Sequence, residues 1–261
     1  MTDIAFHTKS DGTRLAYQHI PADPQKNNQA EKTPGFLFLA GHNSDMFGSK
    51  AEALMHWAAE TGIAFTRMDY FGHGQSDGDT LDGTITRWTD DALEILDVVT
   101  SGPQILVGSS LGGWIMLNLA MQRQAQIKGL IGIAAAPDFT ERLIWDALDE
   151  DERQGFTETG FLAVDNPYSD EDVVYPYPLI TDGRNNLRLT QPIMFDGPVI
   201  LHQGLADEEV PWQTALDISA ALSSDDVQLN LVKSAGHRFS EPNQLEMIIS
   251  SAKKILRRLS D

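Results

Sequence analysis

Short apolar runs alternate along the chain with segments of helical period, and this alternation restricts the fold more than any other feature. The runs at residues 36–40, 63–68, 104–107, 129–134, 199–201 and 227–232 each read as a strand buried on both faces. Between and after them, residues 51–60, 88–99, 111–121, 212–222 and 244–259 repeat apolar side chains at helical spacing. Strands alternating with helices predict βαβ units, and so an α/β fold with a mostly parallel central sheet flanked by helices. Ahead of it, residues 4–8 and 13–20 flank the turn signal Asp11-Gly12 and predict an antiparallel pair. Residues 21–34 are polar and predict a loop. A chain of 261 residues can bury one large core, and residues 1–261 read as a single domain.

One interval breaks the alternation. Residues 137–197 form a 61-residue stretch with at least one helix-like segment, at 141–152, and several aromatic side chains, among them Trp145, Tyr168 and Tyr175. Insertions of this length in compact domains usually carry function, so the interval is expected to be a lid over a binding site. A surface subdomain of structural use is the plainer alternative.

Composition removes several functions. Thirty-eight Asp and Glu against 19 Lys and Arg leave a net charge of −19. Nucleic-acid binding depends on cations that neutralise phosphates, and docking on anionic lipid depends on basic patches, so both are excluded as expectations. There is no cysteine, which excludes disulfides, thiol nucleophiles and cysteine-ligated metals. No apolar stretch reaches the ~18 residues of a membrane span, so no stable membrane insertion is expected. The first residues lack the basic and apolar regions of a secretory signal, and a cytoplasmic location is the expectation.

The chemistry centres on Gly108-Ser109-Ser110-Leu111-Gly112, a G-x-S-x-G pattern. Five residues of this kind arise easily by chance. The flanking segments make the pattern specific, because it lies between the run ending at Val107 and the helical segment beginning at Leu111. A sharp strand–turn–helix elbow would lift the Ser110 hydroxyl clear of the sheet. Side chains two positions either side would collide there, and Gly108 and Gly112 remove them. A serine hydroxyl needs a base, and the base needs an orienting acid. Asp207 follows the 199–201 run, and His237 follows the 227–232 run, which puts all three residues at one edge of a parallel sheet. Asp207 begins three consecutive acids, so Glu208 and Glu209 are alternative orienters. The oxyanion donors are expected to be the N–H groups of Leu111, at the helix start, and His42, after the first central run, with Asn43 the alternative. The His42 side chain is expected to pack. His202 reads as structural.

Taken in order, Phe38-Leu39-Ala40-Gly41, Asp69-Tyr70-Phe71-Gly72-His73-Gly74-Gln75-Ser76, Gly108–Gly112, Gly204-Leu205-Ala206-Asp207 and Gly236-His237 resemble the successive signatures of the α/β-hydrolase superfamily across nearly the whole chain. Gly102–Trp114, Ser76-Asp77-Gly78, Val210-Pro211-Trp212 and His237-Arg238 are similar to one branch, the mitochondrial acyl-glucuronide esterases also described as palmitoyl-protein thioesterases. The resemblance implies an α/β-hydrolase fold with a lid insertion. It also implies hydrolysis of esters or thioesters through an acyl-serine, with Ser110, Asp207 and His237 as the triad. Two departures stand out: Ala40-Gly41 replaces the usual His-Gly, and no Arg-rich leader supports the mitochondrial address.

No metal or organic cofactor is required by this chemistry. The expected partner is a small acyl ester or thioester, or an acylated protein. Trp114 and the insertion aromatics are expected to line the acyl pocket, and Arg238 to meet the substrate. A serine peptidase or carbon–carbon hydrolase on the same triad is the alternative enzyme, and a hydrolase-like binding protein without turnover is the alternative of a different class. Residues 137–197 hold 14 acids and four Arg, about half the net charge. If these acids face the entrance, polyanionic substrates are disfavoured.

Overall fold

A computed structural model gives the fold and describes residues 3–30, 32–165 and 172–260. Strands β1 (Ala5–Thr8) and β2 (Arg14–Ile20) open the chain as an antiparallel pair. Then come β3 (Gly35–Leu39), α1 (Ser49–Thr61), β4 (Phe65–Met68), α2 (Ile85–Val99), β5 (Gln104–Ser109), α3 (Leu111–Gln122) and β6 (Ile127–Ile133). Residues 137–197 hold α4 (Glu150–Thr159), β7 (Phe161–Val164), β8 (Val173–Pro176) and α5 (Tyr177–Arg184). The chain finishes with β9 (Val199–Gly204), α6 (Gln213–Ala221), β10 (Val227–Val232) and α7 (Pro242–Arg258).

Eight strands form one sheet in the order β1-β2-β4-β3-β5-β6-β9-β10. From β4 onward all neighbours are parallel. The two faces follow from the two-residue period of a strand. Phe36, Phe38, Ile105 and Val107 point to the side covered by α1 and α7. Leu37, Leu39 and Leu106 point to the side covered by α2 and α3. With both faces covered, β3, β4, β5, β6 and β9 are almost continuously buried, which is why they read as unbroken apolar runs; β10 corrects that expectation, because it lies at the sheet edge and is only half-buried along most of its length. Among the described residues, no helix is long and apolar enough to cross a membrane.

The interval between β6 and β9 departs from the helix expected at 141–152. A π-helical turn at Thr140–Ile144 and a tight turn at Trp145–Ala147 come first. Helix α4 starts only at Glu150, because Asp149 caps it and the Glu152 side chain returns to the Asp149 N–H. Strands β7 and β8 pair as a separate antiparallel hairpin. Asp138, with φ of 61°, fastens the base of the interval: its carboxylate accepts from the N–H groups of Arg188 and Leu189 at 2.7 and 2.8 Å. Tyr168, one of the aromatics singled out in the sequence, lies outside the described residues.

Candidate active site

Strand β5 runs into α3 through Ser110 alone, whose φ of 53° and ψ of −119° lie in a region that residues with a Cβ rarely enter. The neighbours that permit this turn are the two glycines of the motif. A Cβ on Gly108 would sit 2.3 Å from the Gly112 carbonyl oxygen, and one on Gly112 would sit 2.1 Å from that of Leu39. The elbow is pinned to β6 and the loop after it by two bonds of 3.0 Å, Ser110 N–H to the Ile133 carbonyl and Ala136 N–H to the Ser110 carbonyl.

Three sequence-separated residues meet here. Ser110 Oγ lies 3.0 Å from His237 Nε2, and His237 Nδ1 lies 3.0 Å from Asp207 Oδ2. The Asp207 carboxylate is fully buried. Burial alone would raise its pKa. The His237 hydrogen bond and charge, with the N–H groups of Val210 and Glu209 on Oδ1, outweigh burial and hold the carboxyl below its ordinary value. An ionised carboxylate only accepts, so the shared proton sits on Nδ1 and Nε2 is left to accept from the Ser110 hydroxyl. Of the three consecutive acids, Asp207 is the one against Nδ1. Glu209 approaches the other nitrogen, 3.7 Å from Nε2.

The loop after β3 flanks the serine. Gly41 is so close that a Cβ there would lie 3.3 Å from Ser110 Cβ. Leu111 opens α3, where N–H groups lack partners within the helix. Asn43 donates its N–H to His73 Nε2 at 3.3 Å, whereas the His42 N–H has no partner among the described residues. The His42 ring packs, as expected: it stacks on Tyr175 with centroids 5.5 Å apart and tilts against Trp88 at 5.6 Å. Burial and the nearby His73 push its pKa down to about 3, so the ring is neutral.

A cavity of about 790 Å³ opens onto Ser110, His42, Leu111 and His237. Its apolar wall comes from the interval after β6, through Leu143, Ile144, Leu148, Leu162, Val173 and Tyr175. Asp45, Lys50, Asp165, Glu209 and Arg238 are the charged lining groups. Arg238, expected to meet the substrate, lies on the cavity wall. Trp114 is a correction: it is fully buried, donates its indole N–H to the Asn186 carbonyl at 2.9 Å, and packs edge-on behind Phe139, which is the residue that faces the cavity. The acids of the interval are also mostly elsewhere. Among the described residues only Asp165 of that interval lines the cavity, while Asp149, Glu150, Asp151 and Glu152 are exposed around the N-terminus of α4, where they complement its dipole. Among the described residues no group of three or more His, Asp or Glu is placed to hold a metal ion.

Sequence reasoning passed over three residues that support this arrangement. Gln203 donates to Asp207 Oδ2 at 2.8 Å, His73 holds the Asn43 N–H, and Lys50 donates to the Arg238 carbonyl at 2.5 Å. Only Gln203, four positions before Asp207 at a strand end, carried a local signal.

A serine elbow at the carboxyl edge of a parallel sheet, with histidine and acid from the last two strand loops, defines an α/β hydrolase. The family model for serine aminopeptidases of the S33 type matches residues 37–149. The mouse protein named palmitoyl-protein thioesterase ABHD10, mitochondrial, is 36% identical over 98% of this chain and 84% of its own length. The solved structure of mouse α/β hydrolase domain-containing protein 10 superposes with a TM-score of 0.89 at 34% identity, covering 98% of this chain and 99% of that one. A putative hydrolase from Agrobacterium vitis gives 0.90 at 36% identity, covering 98% of both chains. The chain belongs to the ABHD10 family of α/β hydrolases and is an enzyme of the hydrolase class.

These relatives correct the expected cytoplasmic location, because their names place them in mitochondria. Lack of cysteine suits any reducing compartment, so it does not separate the two addresses.

Proposed function

We propose that this enzyme hydrolyses carboxylic thioesters and esters through an acyl intermediate on Ser110. The observation that carries the reading is the chain of two 3.0 Å contacts from Ser110 Oγ through His237 to the buried Asp207 carboxylate. Ser110 Oγ attacks the acyl carbonyl while His237 Nε2 takes its proton. Asp207 orients the imidazole and stabilises the imidazolium. The developing oxyanion lies between the N–H groups of Leu111 and His42; losing one such donor typically costs ~10²–10³ in turnover. His237 then gives its proton to the departing thiol or alcohol. Water, deprotonated by the same nitrogen, releases the acid and restores Ser110.

The residues 137–197 act as a lid that supplies the acyl wall. A cavity of about 790 Å³ falls within the ~300–1,000 Å³ of small-molecule sites, and each methylene buried in it adds ~0.8 kcal/mol. Mouse ABHD10 is named a palmitoyl-protein thioesterase, which supports a long acyl chain on a protein or small thiol as the substrate class. Arg238 lines the same cavity as Ser110 and His237 and is the proposed contact for the leaving group.

The test pairs Ser110→Ala with a panel of nitrophenyl esters of rising chain length, an acyl-coenzyme A and an acylated cysteine peptide. Turnover and fluorophosphonate labelling are expected to vanish in the variant, and kcat/KM to rise with chain length in the parent. Labelling that persists in Ser110→Ala overturns the nucleophile.

A further inference from the structure

The Gln203 side chain is buried at the end of β9 and spends both amide hydrogens inside the site. Nε2 lies 2.8 Å from Asp207 Oδ2 and 3.1 Å from the Val210 carbonyl oxygen, with a longer approach of 3.4 Å to the Gly204 carbonyl. Its Oε1 has no protein partner among the described residues, so the amide is held entirely through its donor side. Turning the amide over would set its oxygen against Asp207 Oδ2 and the Val210 carbonyl, three acceptors with no hydrogen between them. The orientation is therefore fixed by the residues around it.

The bond falls on a particular oxygen. Asp207 Oδ1 is taken by the N–H groups of Glu209 and Val210. Oδ2 receives both His237 Nδ1 and Gln203 Nε2. With four hydrogen bonds the carboxylate has no freedom to rotate, and its in-plane direction toward Nδ1 is set. The same amide ties that oxygen to the carbonyl of Val210, so the acid loop closes on itself around the Asp207–His237 contact.

We infer that Gln203 is a positioning residue that aims Asp207 at His237 and limits how much negative charge Oδ2 presents to the imidazole; this rests on the proposed esterase chemistry. Gln203 has no bond to Ser110 and does not itself line the cavity; it reaches the site through Asp207 and through the carbonyl of Val210. The charged groups around His237 are Asp207 on Nδ1, Glu209 at 3.7 Å from Nε2, and Arg238 and Lys50 on the cavity wall. Of these, only Asp207 is hydrogen-bonded to the Gln203 amide.

Replacing Gln203 by Met keeps the length and removes the donors. The freed charge on Oδ2 then holds the imidazolium proton more tightly. Three results are expected with a nitrophenyl ester. kcat falls ~10-fold with KM within twofold, well short of the ~10⁴ lost when the orienting acid itself becomes an amide; the acid limb of kcat/KM moves to higher pH; and the low-field proton resonance of His237 Nδ1–H shifts. That resonance is identified by its loss in His237→Gln and needs no turnover, so it reports on Gln203 even where the esterase reading fails. A role confined to folding lowers Tm and leaves the acid limb in place. Unchanged kcat, acid limb and resonance in a folded Gln203→Met overturn the proposal. If that variant does not fold, Gln203→Glu decides: its carboxyl donates only when protonated, so activity relative to the parent is expected to decline as pH rises, and parallel profiles overturn the inference.

Discussion

Asn43 donates its backbone N–H to His73 Nε2 across 3.3 Å, joining the loop after β3 to the loop after β4. His73 Nδ1 lies 3.1 Å from the Phe71 carbonyl, which can only accept, so Nδ1 carries the proton and Nε2 is the acceptor. The bond occupies Asn43, whereas the neighbouring His42 N–H has no partner among the described residues. It also gives His73 of the Gly72-His73-Gly74 segment a use as a strut for the loop that carries the proposed oxyanion donor.

Replacing His73 by Leu removes the strut while keeping a buried apolar side chain. We expect kcat to fall ~10-fold, less than the ~10²–10³ of losing an oxyanion donor outright, with KM changed less than twofold. Steady-state kinetics on one nitrophenyl ester decide it. A rise in KM with kcat intact would assign His73 to substrate binding instead.

Two glycines, one in the elbow and one in α4, predict opposite outcomes for the same substitution. A Cβ on Gly112 would meet the Leu39 and Ala40 carbonyl oxygens at 2.1 and 2.5 Å, both backbone atoms that cannot yield locally. Gly155, inside α4, meets nothing within 4 Å. Gly112→Ala is expected to lower Tm sharply and abolish activity. Gly155→Ala is expected to stabilise by up to ~1 kcal/mol through helix propensity, leaving kcat unchanged. Thermal melts of the two purified variants separate them.

The sequence made the centre of the sheet legible because β3, β4, β5, β6 and β9 are covered on both faces. The 227–232 strand has the predicted bounds, and most others shift by one to three residues. Other features depend on contacts that no local pattern encodes. Strand β8 is four residues long, ends in Pro176, and exists through its pairing with β7. Trp114 was misplaced because α3 is buried almost all round, so apolar period cannot say which face looks into a cavity. His73 meets Asn43 across 30 positions, and that relationship appears only once β3 and β4 lie side by side.

Acid is expected to weaken the fold through buried neutral histidine. His202 lies on β9 with Nε2 2.9 Å from Ser251 Oγ, and burial lowers its pKa to about 4. Unfolded, it titrates near ~6.5. Between those values the unfolded chain binds more protons, so stability falls as pH drops from 6.5 toward 4. His42, at about 3, acts in the same direction. Asp69, raised to about 6 chiefly by burial, opposes them between 3.8 and 6, because its native form binds the extra proton. Burial lowers His19 and His73 in the same sense and raises Asp91 and Asp138 in the opposite one; the histidines titrate from the higher unfolded value, so the first change on acidification is a loss. Tm measured from pH 7 to 4.5 should fall, and less steeply in His202→Gln. An equal slope in the variant would remove His202 from the account.

Glu209 is expected to select against anionic leaving groups. Its Oε2 stands 3.7 Å from His237 Nε2, the nitrogen proposed to protonate the departing atom, so a leaving group passes close to this carboxylate. Two like charges ~6 Å apart repel by ~3 kcal/mol at an effective dielectric of ~20, and salt screens part of this. Arg238 and Lys50 line the same cavity and offset it further, although burial and the Arg238 charge lower the Lys50 pKa to about 8. The remainder corresponds to a preference of roughly 3- to 10-fold. Matched acyl thioesters of a neutral and a carboxylate-bearing thiol measure it directly. Glu209→Gln should raise the ratio of kcat/KM for the anionic over the neutral thioester by that factor, with the gain shrinking in 0.5 M salt, ~three times the physiological ionic strength. A ratio that stays the same in the variant, or a gain that ignores salt, would show that this carboxylate does not read the charge of the leaving group.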